Sequence, residues 1–150
     1  MSDGFISESG RMEPFKRLRV WRKAHALAIN THRVAAGMRS SLAISLRSQM
    51  VRAAMSIPTN IVEGRGQKGE REFARFLRIA LNSGSELQYH LIVARELKMI
   101  SERDFTSLSD QATEVRKMIH GLLSRLAGQS ATRTTSVENK QPEPQLSEQL

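Results

Sequence analysis

The sequence contains no cysteine, which excludes disulfide bonds and thiolate metal sites and favours a reducing compartment. It also has no run of the roughly 18 apolar residues that a membrane-spanning helix needs. Residues 1–15 hold three acids and no apolar stretch, so we expect no signal peptide. These absences together predict a cytoplasmic protein without a membrane partner.

Aromatic residues and catalytic patterns are also scarce. Besides Trp21 there are five phenylalanines and one tyrosine, too few for a platform of rings on which bases could stack. The four histidines are scattered, and no Glu-x-x-His pair of the di-iron type occurs. No motif places a serine nucleophile beside a base. We therefore predict no metal, no cofactor, no catalytic residue and no enzymatic activity.

One glycine triplet has the spacing of a dinucleotide-binding loop. Gly64, Gly66 and Gly69 match G-x-G-x-x-G, but that loop works only after a buried strand of a parallel sheet. Here the triplet follows a helical pattern, so we interpret it as a turn between helices. In that turn Gly64 is expected to end the preceding helix in a left-handed conformation.

Acids are missing from a long part of the chain. Residues 15–52 contain nine bases and no acid, and residues 15–128 contain 20 bases against 9 acids. A field of one sign attracts polyanions such as nucleic acid or an acidic protein surface. The alternative is that the charge only keeps the protein in solution.

What the chain does have is helical periodicity. Apolar residues recur every three or four positions, which predicts four helices over about 15–38, 41–64, 69–99 and 102–128. Short connections between them predict an all-α, antiparallel up-down-up-down four-helix bundle at residues 15–128. Residues 1–14 are expected to be a flexible segment and residues 129–150 a disordered polar tail.

Two places in this pattern leave alternatives open. Pro58 lies inside the second helix, which either stops at Ile57 or continues with a kink, and the apolar spacing through Ile61 favours the kink. The small residues 82–85 inside the third helix indicate either a close approach of another backbone or a local bend.

The basic residues fall on helix sides opposite the apolar ones, so they are the candidate contacts for phosphate. The predicted nucleic-acid-binding set is Lys16, Arg17, Arg19, Arg22, Lys23, Arg33, Arg52, Arg65, Lys68, Arg71, Arg75 and Arg78.

Three stretches of the sequence resemble a known family. They are FKRLRVWRKA at residues 15–24, SQMVRAAMSIPTNIVEG at residues 48–64 and EFARFLRIA at residues 72–80. In these stretches the chain is similar to the bacterial four-helix-bundle proteins encoded within 23S rRNA intervening sequences. The most specific part is the structural motif formed by Ser56, Pro58, Asn60, Glu63 and Gly64. One departure is Asn82, where the family commonly has glycine.

The resemblance implies properties that the periodicity does not show. It implies an up-down bundle that assembles into a homo-oligomer, with a pentamer as the expected number of subunits. The family is similar to the accessory variability proteins of diversity-generating retroelements, which are basic and bind nucleic acid. We therefore expect a non-catalytic homo-oligomer that binds nucleic acid, in particular structured RNA, through phosphate contacts. The alternative is a protein-interaction scaffold that docks an acidic protein partner without binding nucleic acid.

Overall fold

The computed structural model describes residues 14–138, and every regular element within that range is helical. A short 3-10 turn at Pro14–Arg17 precedes α1 (Arg19–Ala36), and a second turn at Ser41–Ala43 leads into α2 (Ile44–Arg65). The last two helices are α3 (Glu70–Glu96) and α4 (Glu102–Glu138). The predicted all-α class is confirmed. The predicted flexible segment lies outside the described residues except for Pro14, as do residues 139–150 of the predicted tail.

The four helices pack in chain order around one core. Each helix contacts the next and α4 returns to α1, whereas α1 and α3 make no contact within the described residues. The helices α2 and α3 run in opposite directions, because Ser56 meets Ser83 while the later Gly64 meets the earlier Phe73. This is the arrangement of an up-down bundle, with α1 and α3 at diagonal corners. Its fully buried larger side chains include Leu27, Met50, Ile57, Ile61, Leu77, Leu87, Leu91, Leu108 and Ile119.

The turns use polar caps and one unusual backbone conformation. Ser101 caps α4, since the backbone N–H of Asp104 donates to its Oγ at 3.0 Å. Ser40 instead caps the 3-10 turn before α2, accepting from the N–H of Leu42 at 3.2 Å. After α3, Lys98 takes a φ of 56° while the N–H of Met99 donates to the carbonyl of Ala94. That pair of features is a Schellman motif, which reverses the chain between α3 and α4.

Gly64 does not have the role expected from the sequence. It is buried inside α2, which ends at Arg65, and the left-handed backbone of the turn is at Gly69, with a φ of 93°. A Cβ at Gly64 would lie 2.7 Å from Cβ of Phe76 and 3.0 Å from Cδ2 of Phe73. The glycine is therefore required by the close approach of α3 and not by backbone angles. The prediction that Gly64 ends the helix in a left-handed conformation is wrong.

Pro58 lies inside α2, and the helix continues past it to Arg65. The interpretation of a helix that does not stop at Ile57 is thus confirmed. Both Ile57 and Pro58 are buried. One turn later, Nδ2 of Asn60 donates to the carbonyl of Ser56 at 2.8 Å and to its Oγ at 3.0 Å. The turn that contains Pro58 is therefore reinforced by side-chain hydrogen bonds of Asn60.

The helix α4 is longer than predicted. It continues through Gly128 to Glu138, into the segment expected to be a disordered tail. An exposed glycine costs a helix only about 1 kcal/mol, and the next proline is Pro142, so nothing stops the helix at Gly128. Hydroxyl groups of Thr132 and Thr134 each donate to the carbonyl four residues earlier. Residues 122–138 thus form an extension of α4 that runs beside the start of α3.

Candidate nucleic-acid interface

The predicted basic residues do not form one surface. Those of α1 and α3 lie on the outward sides of two helices at diagonal corners, so they face in opposite directions. The structure thus separates the predicted set into an α1 stripe, consisting of Arg19, Arg22 and Arg33, and an α3 stripe, consisting of Arg71, Arg75 and Arg78. The surroundings of the two stripes differ, and that difference decides which one can hold a ligand.

The α1 stripe lies on open, convex helix surface. Arg22 donates from Nη1 to the carbonyl of Lys16 at 3.3 Å, and Arg33 donates to Oδ1 of Asn30 at 3.5 Å. Lys23 lies at the edge towards α4, where its Nζ is 3.4 Å from Oε1 of Glu114. Arg19 is exposed. These side chains can contribute to the general positive field, and none of them lines the groove between α3 and α4, the groove between α1 and α2 or the smaller cavity at the end of α2.

The remaining residues of the first half are spread over several places. Lys16 is half-buried in the first 3-10 turn, and the side chain of Arg17 lies outside the described atoms. Arg52 is exposed and lines a groove of about 500 Å³ between α1 and α2. That groove is lined largely by apolar side chains, among them Ile44 and Val51.

The three arginines of the α3 stripe are not equivalent. Arg75 donates from Nε and Nη2 to Oε2 of Glu72, both at 3.2 Å, and its guanidinium lies 4.4 Å from the ring centroid of Phe76. By contrast, neither Arg71 nor Arg78 makes an ion pair with any carboxylate of the described residues. Both are exposed, and both line a groove between α3 and α4. Two of the three arginines are therefore available to a ligand.

The turn between α2 and α3 contributes two more predicted bases. Lys68 is exposed in the glycine-containing turn. Arg65, at the end of α2, lies 6.0 Å from the ring centroid of Phe73 and lines a smaller cavity of about 380 Å³. That cavity is next to the groove lined by Arg71 and Arg78, since Glu70 and Leu126 line both.

The other wall of this region comes from residues outside the predicted nucleic-acid-binding set. Leu123, Leu126 and Ser130 of the α4 extension line the groove, and Arg133 lines the smaller cavity. The leucines continue the apolar pattern of α4 for one more turn, which was the available signal. Both leucines lie within the predicted helix over 102–128, but no binding role was predicted for them, whereas Ser130 and Arg133 lie in the segment that was predicted to be disordered.

The residues of the structural motif are mostly internal. Ser56 Oγ lies 2.7 Å from Ser83 Oγ across the contact between α2 and α3, and Pro58 and Gly64 are buried. Glu63 is exposed, and its carbonyl accepts from Nε2 of Gln67 at 3.3 Å. Within the small residues 82–85, Ser83 forms the contact with α2, and Gly84 lies towards α4. There Gly84 makes room for the aliphatic part of Arg116, whose Cγ would lie 3.0 Å from an added Cβ.

The described surface offers charged side chains for binding and no cluster of metal-ligating side chains. Residues 14–138 contain no group of three histidine, aspartate or glutamate side chains placed to share a metal ion. No helix in the same range is long and apolar enough to cross a membrane. What the arrangement offers is guanidinium groups beside small grooves, which suits the recognition of phosphate or carboxylate groups.

Comparisons with known proteins agree with the resemblance seen in the sequence. The chain is similar in structure to a protein of unknown function from the S23 ribosomal protein family of Bacteroides thetaiotaomicron VPI-5482, with a TM-score of 0.66 and 22% sequence identity. The alignment covers 69% of this chain and 97% of that one, which shows a shared fold. A comparison with curated protein sequences found no match. The family described as 23S rRNA-intervening sequence protein matches residues 16–121, so the chain belongs to that family.

Proposed function

We propose that this protein is a cytoplasmic, non-catalytic homo-oligomer that binds nucleic acid, with structured RNA as the expected ligand. The observation that carries the proposal is the unneutralised positive charge of the bundle. Residues 15–128 hold 20 bases against 9 acids, and neither Arg71 nor Arg78 forms an ion pair with a carboxylate of the described residues. Exposed, unpaired guanidinium groups are the usual phosphate contacts of such proteins.

Homo-oligomer formation strengthens this proposal. A single stripe of three arginines makes few phosphate contacts, and each is weak in water. An oligomer repeats the stripe on every subunit, so that contacts to one RNA add through effective concentration. The family resemblance suggests a pentamer, and light scattering of the purified protein at several concentrations measures the number of subunits.

The first experiment is RNA binding across a salt series. We expect binding to a structured RNA at about 50 mM salt, and log affinity that falls linearly with log salt because counterions are released from phosphates. Absence of binding at low salt would overturn the proposal. So would an affinity that does not change with salt, because phosphate contacts would then not be involved.

A charge-reversal variant tests the stripes themselves. Replacing Arg19, Arg22, Arg75 and Arg78 with glutamate should abolish RNA binding while the helical circular dichroism spectrum is kept, since all four side chains are exposed. Unfolding of the variant would mean instead that the stripes are structural.

A second candidate function is a scaffold that docks an acidic protein partner. It is favoured by large apolar side chains that stay exposed in the monomer, for instance Leu42, Ile44, Met55, Tyr89 and Ile92. Affinity purification with and without nuclease separates the two functions. A protein partner that survives nuclease treatment favours the scaffold, whereas loss of the bound material on treatment favours nucleic-acid binding.

A further inference from the structure

The α4 extension supplies one wall of a groove, and that wall lies beyond the residues matched by the family. The family match ends at residue 121, whereas α4 continues to Glu138. Between this extension and the first two turns of α3 lies a groove of about 550 Å³, called here the α3–α4 groove. It is lined by Glu70, Arg71, Ala74, Arg78, Leu123, Leu126, Ala127 and Ser130.

The two walls of the α3–α4 groove have complementary chemistry. Arg71 and Arg78 stand two turns apart on α3, about 10 Å along the helix axis, and both are exposed and unpaired within the described residues. Leu123 and Leu126 of α4 are half-buried and present apolar surface beside them. Such a pairing of guanidinium groups with an apolar wall suits a ligand that is anionic on one side and apolar on the other.

The single acid of the groove does not cancel its charge. Oε2 of Glu70 lies 3.8 Å from Nη1 of Arg133, which belongs to the α4 extension. This ion pair holds the carboxylate near another cation, so Arg71, Arg78 and Arg133 outnumber Glu70. The excess positive charge remains available to an incoming anion.

The groove does not end at Glu70. The smaller cavity of about 380 Å³ continues on the other side of Glu70 and Leu126, and it is lined by Arg65 and Arg133. Two cavities in a row, each beside arginines and sharing an apolar wall, suit a polymer with repeating anionic groups. Neighbouring helices in bundles pack about 8–10 Å apart, which leaves no room for a double helix between them.

We propose that the α3–α4 groove binds an unpaired segment of RNA. In this arrangement the phosphates contact Arg71 and Arg78, and a base rests on Leu123 and Leu126. The inference rests on the proposed function, and it adds the position of the RNA and the single-stranded form of the bound segment.

The test measures fluorescence anisotropy of a labelled oligouridine bound to the full chain and to two variants. The first variant combines Arg71→Gln with Arg78→Gln. The second, a matched control, combines Arg103→Gln with Lys117→Gln, which removes the same charge from exposed positions of α4 outside the groove. We expect the groove variant to lose about tenfold in affinity for each arginine, because each loses a charge-assisted hydrogen bond. Its slope of log affinity against log salt should fall by about 1.4, at about 0.7 for each single-strand phosphate.

The outcomes separate the inference from the function on which it rests. If the wild-type chain binds neither oligouridine nor structured RNA, the proposed function fails. If it binds RNA but the groove variant and the control lose affinity equally, the function stands and the position is wrong. If a duplex of the same length binds as tightly as the single strand, the unpaired form of the ligand is wrong. Circular dichroism and thermal unfolding of both variants verify that the fold is kept.

Discussion

The two sides of α3 differ in how they meet their neighbours. Towards α2 the contact is closed: Ser83 reaches Ser56 at 2.7 Å, and Phe73 and Phe76 lie against a glycine. Towards α4, at the start of the helix, the contact opens into the α3–α4 groove, with two unpaired arginines at its edge. One helix therefore has a side that holds the bundle together and a side that stays accessible.

This difference between the two sides of α3 indicates which residues are available to bind a ligand. The motif that carries the family resemblance, with Ser56, Pro58, Asn60 and Gly64, lies on the closed side or in the core. The motif is thus explained by packing inside the bundle, which for Ser56 and Gly64 is packing against α3. The groups able to bind a ligand are arginines that the motif does not contain. We expect changes on the α2 side of α3 to affect stability and changes on the α4 side to affect ligand binding.

The largest effect on stability should come from Gly64→Ala on the closed side. The new Cβ would lie 2.7 Å from Cβ of Phe76, an atom that can move only with the helix backbone. We expect the free energy of unfolding to fall by about 1–3 kcal/mol, measured by urea denaturation. The matched control is Gly121→Ala in α4, where an added Cβ meets nothing within 4 Å. It should gain up to about 1 kcal/mol from helix propensity. Equal effects of the two changes would show that Gly64 is not needed for packing.

A smaller effect is expected from the hydroxyl pair across the same contact. Ser56→Ala and Ser83→Ala each remove one partner of the hydrogen bond at 2.7 Å, and Ser56 also accepts from Asn60. Each change should lower the free energy of unfolding by about 1 kcal/mol. In a double-mutant cycle the two losses should not add, because both remove the same bond. Strict additivity would mean that the two serines act independently.

The smallest effect on stability belongs to the open side. Arg71→Gln combined with Arg78→Gln should change the free energy of unfolding by less than about 0.5 kcal/mol, since both side chains are exposed and unpaired within the described residues. The measurement is the same urea denaturation. A loss of stability as large as that of Gly64→Ala would show that these arginines stabilise the bundle. It would contradict the distinction between the two sides of α3.

The sequence predicted the helices better than the surfaces between them. Apolar spacing gave the four helices, because it is a local pattern. It could not distinguish a glycine needed for backbone angles from one needed for a close approach, so the left-handed conformation was assigned to Gly64 whereas Gly69 adopts it. That distinction depends on which atoms of another helix come near.

The candidate site, too, could be predicted only in part from the sequence. Arg71, Arg75 and Arg78 share one helix side in the sequence, yet Glu72 and Phe76 engage only Arg75. The part of α4 after Gly128 was missed because the glycine and the polar composition of the following residues indicated a disordered tail. Whether such a segment is helical depends partly on contacts such as that of Arg133 with Glu70, which are distant in sequence.

The central claim, that RNA lies on the open side of α3, is tested most directly by crosslinking. Ultraviolet irradiation of the wild-type chain bound to oligouridine, followed by mass spectrometry of its peptides, maps the residues that touch RNA. We predict crosslinks in residues 65–78 and 122–134, which line the two adjoining cavities. Crosslinks confined to α1, or found only between α2 and its partners, would contradict the claim.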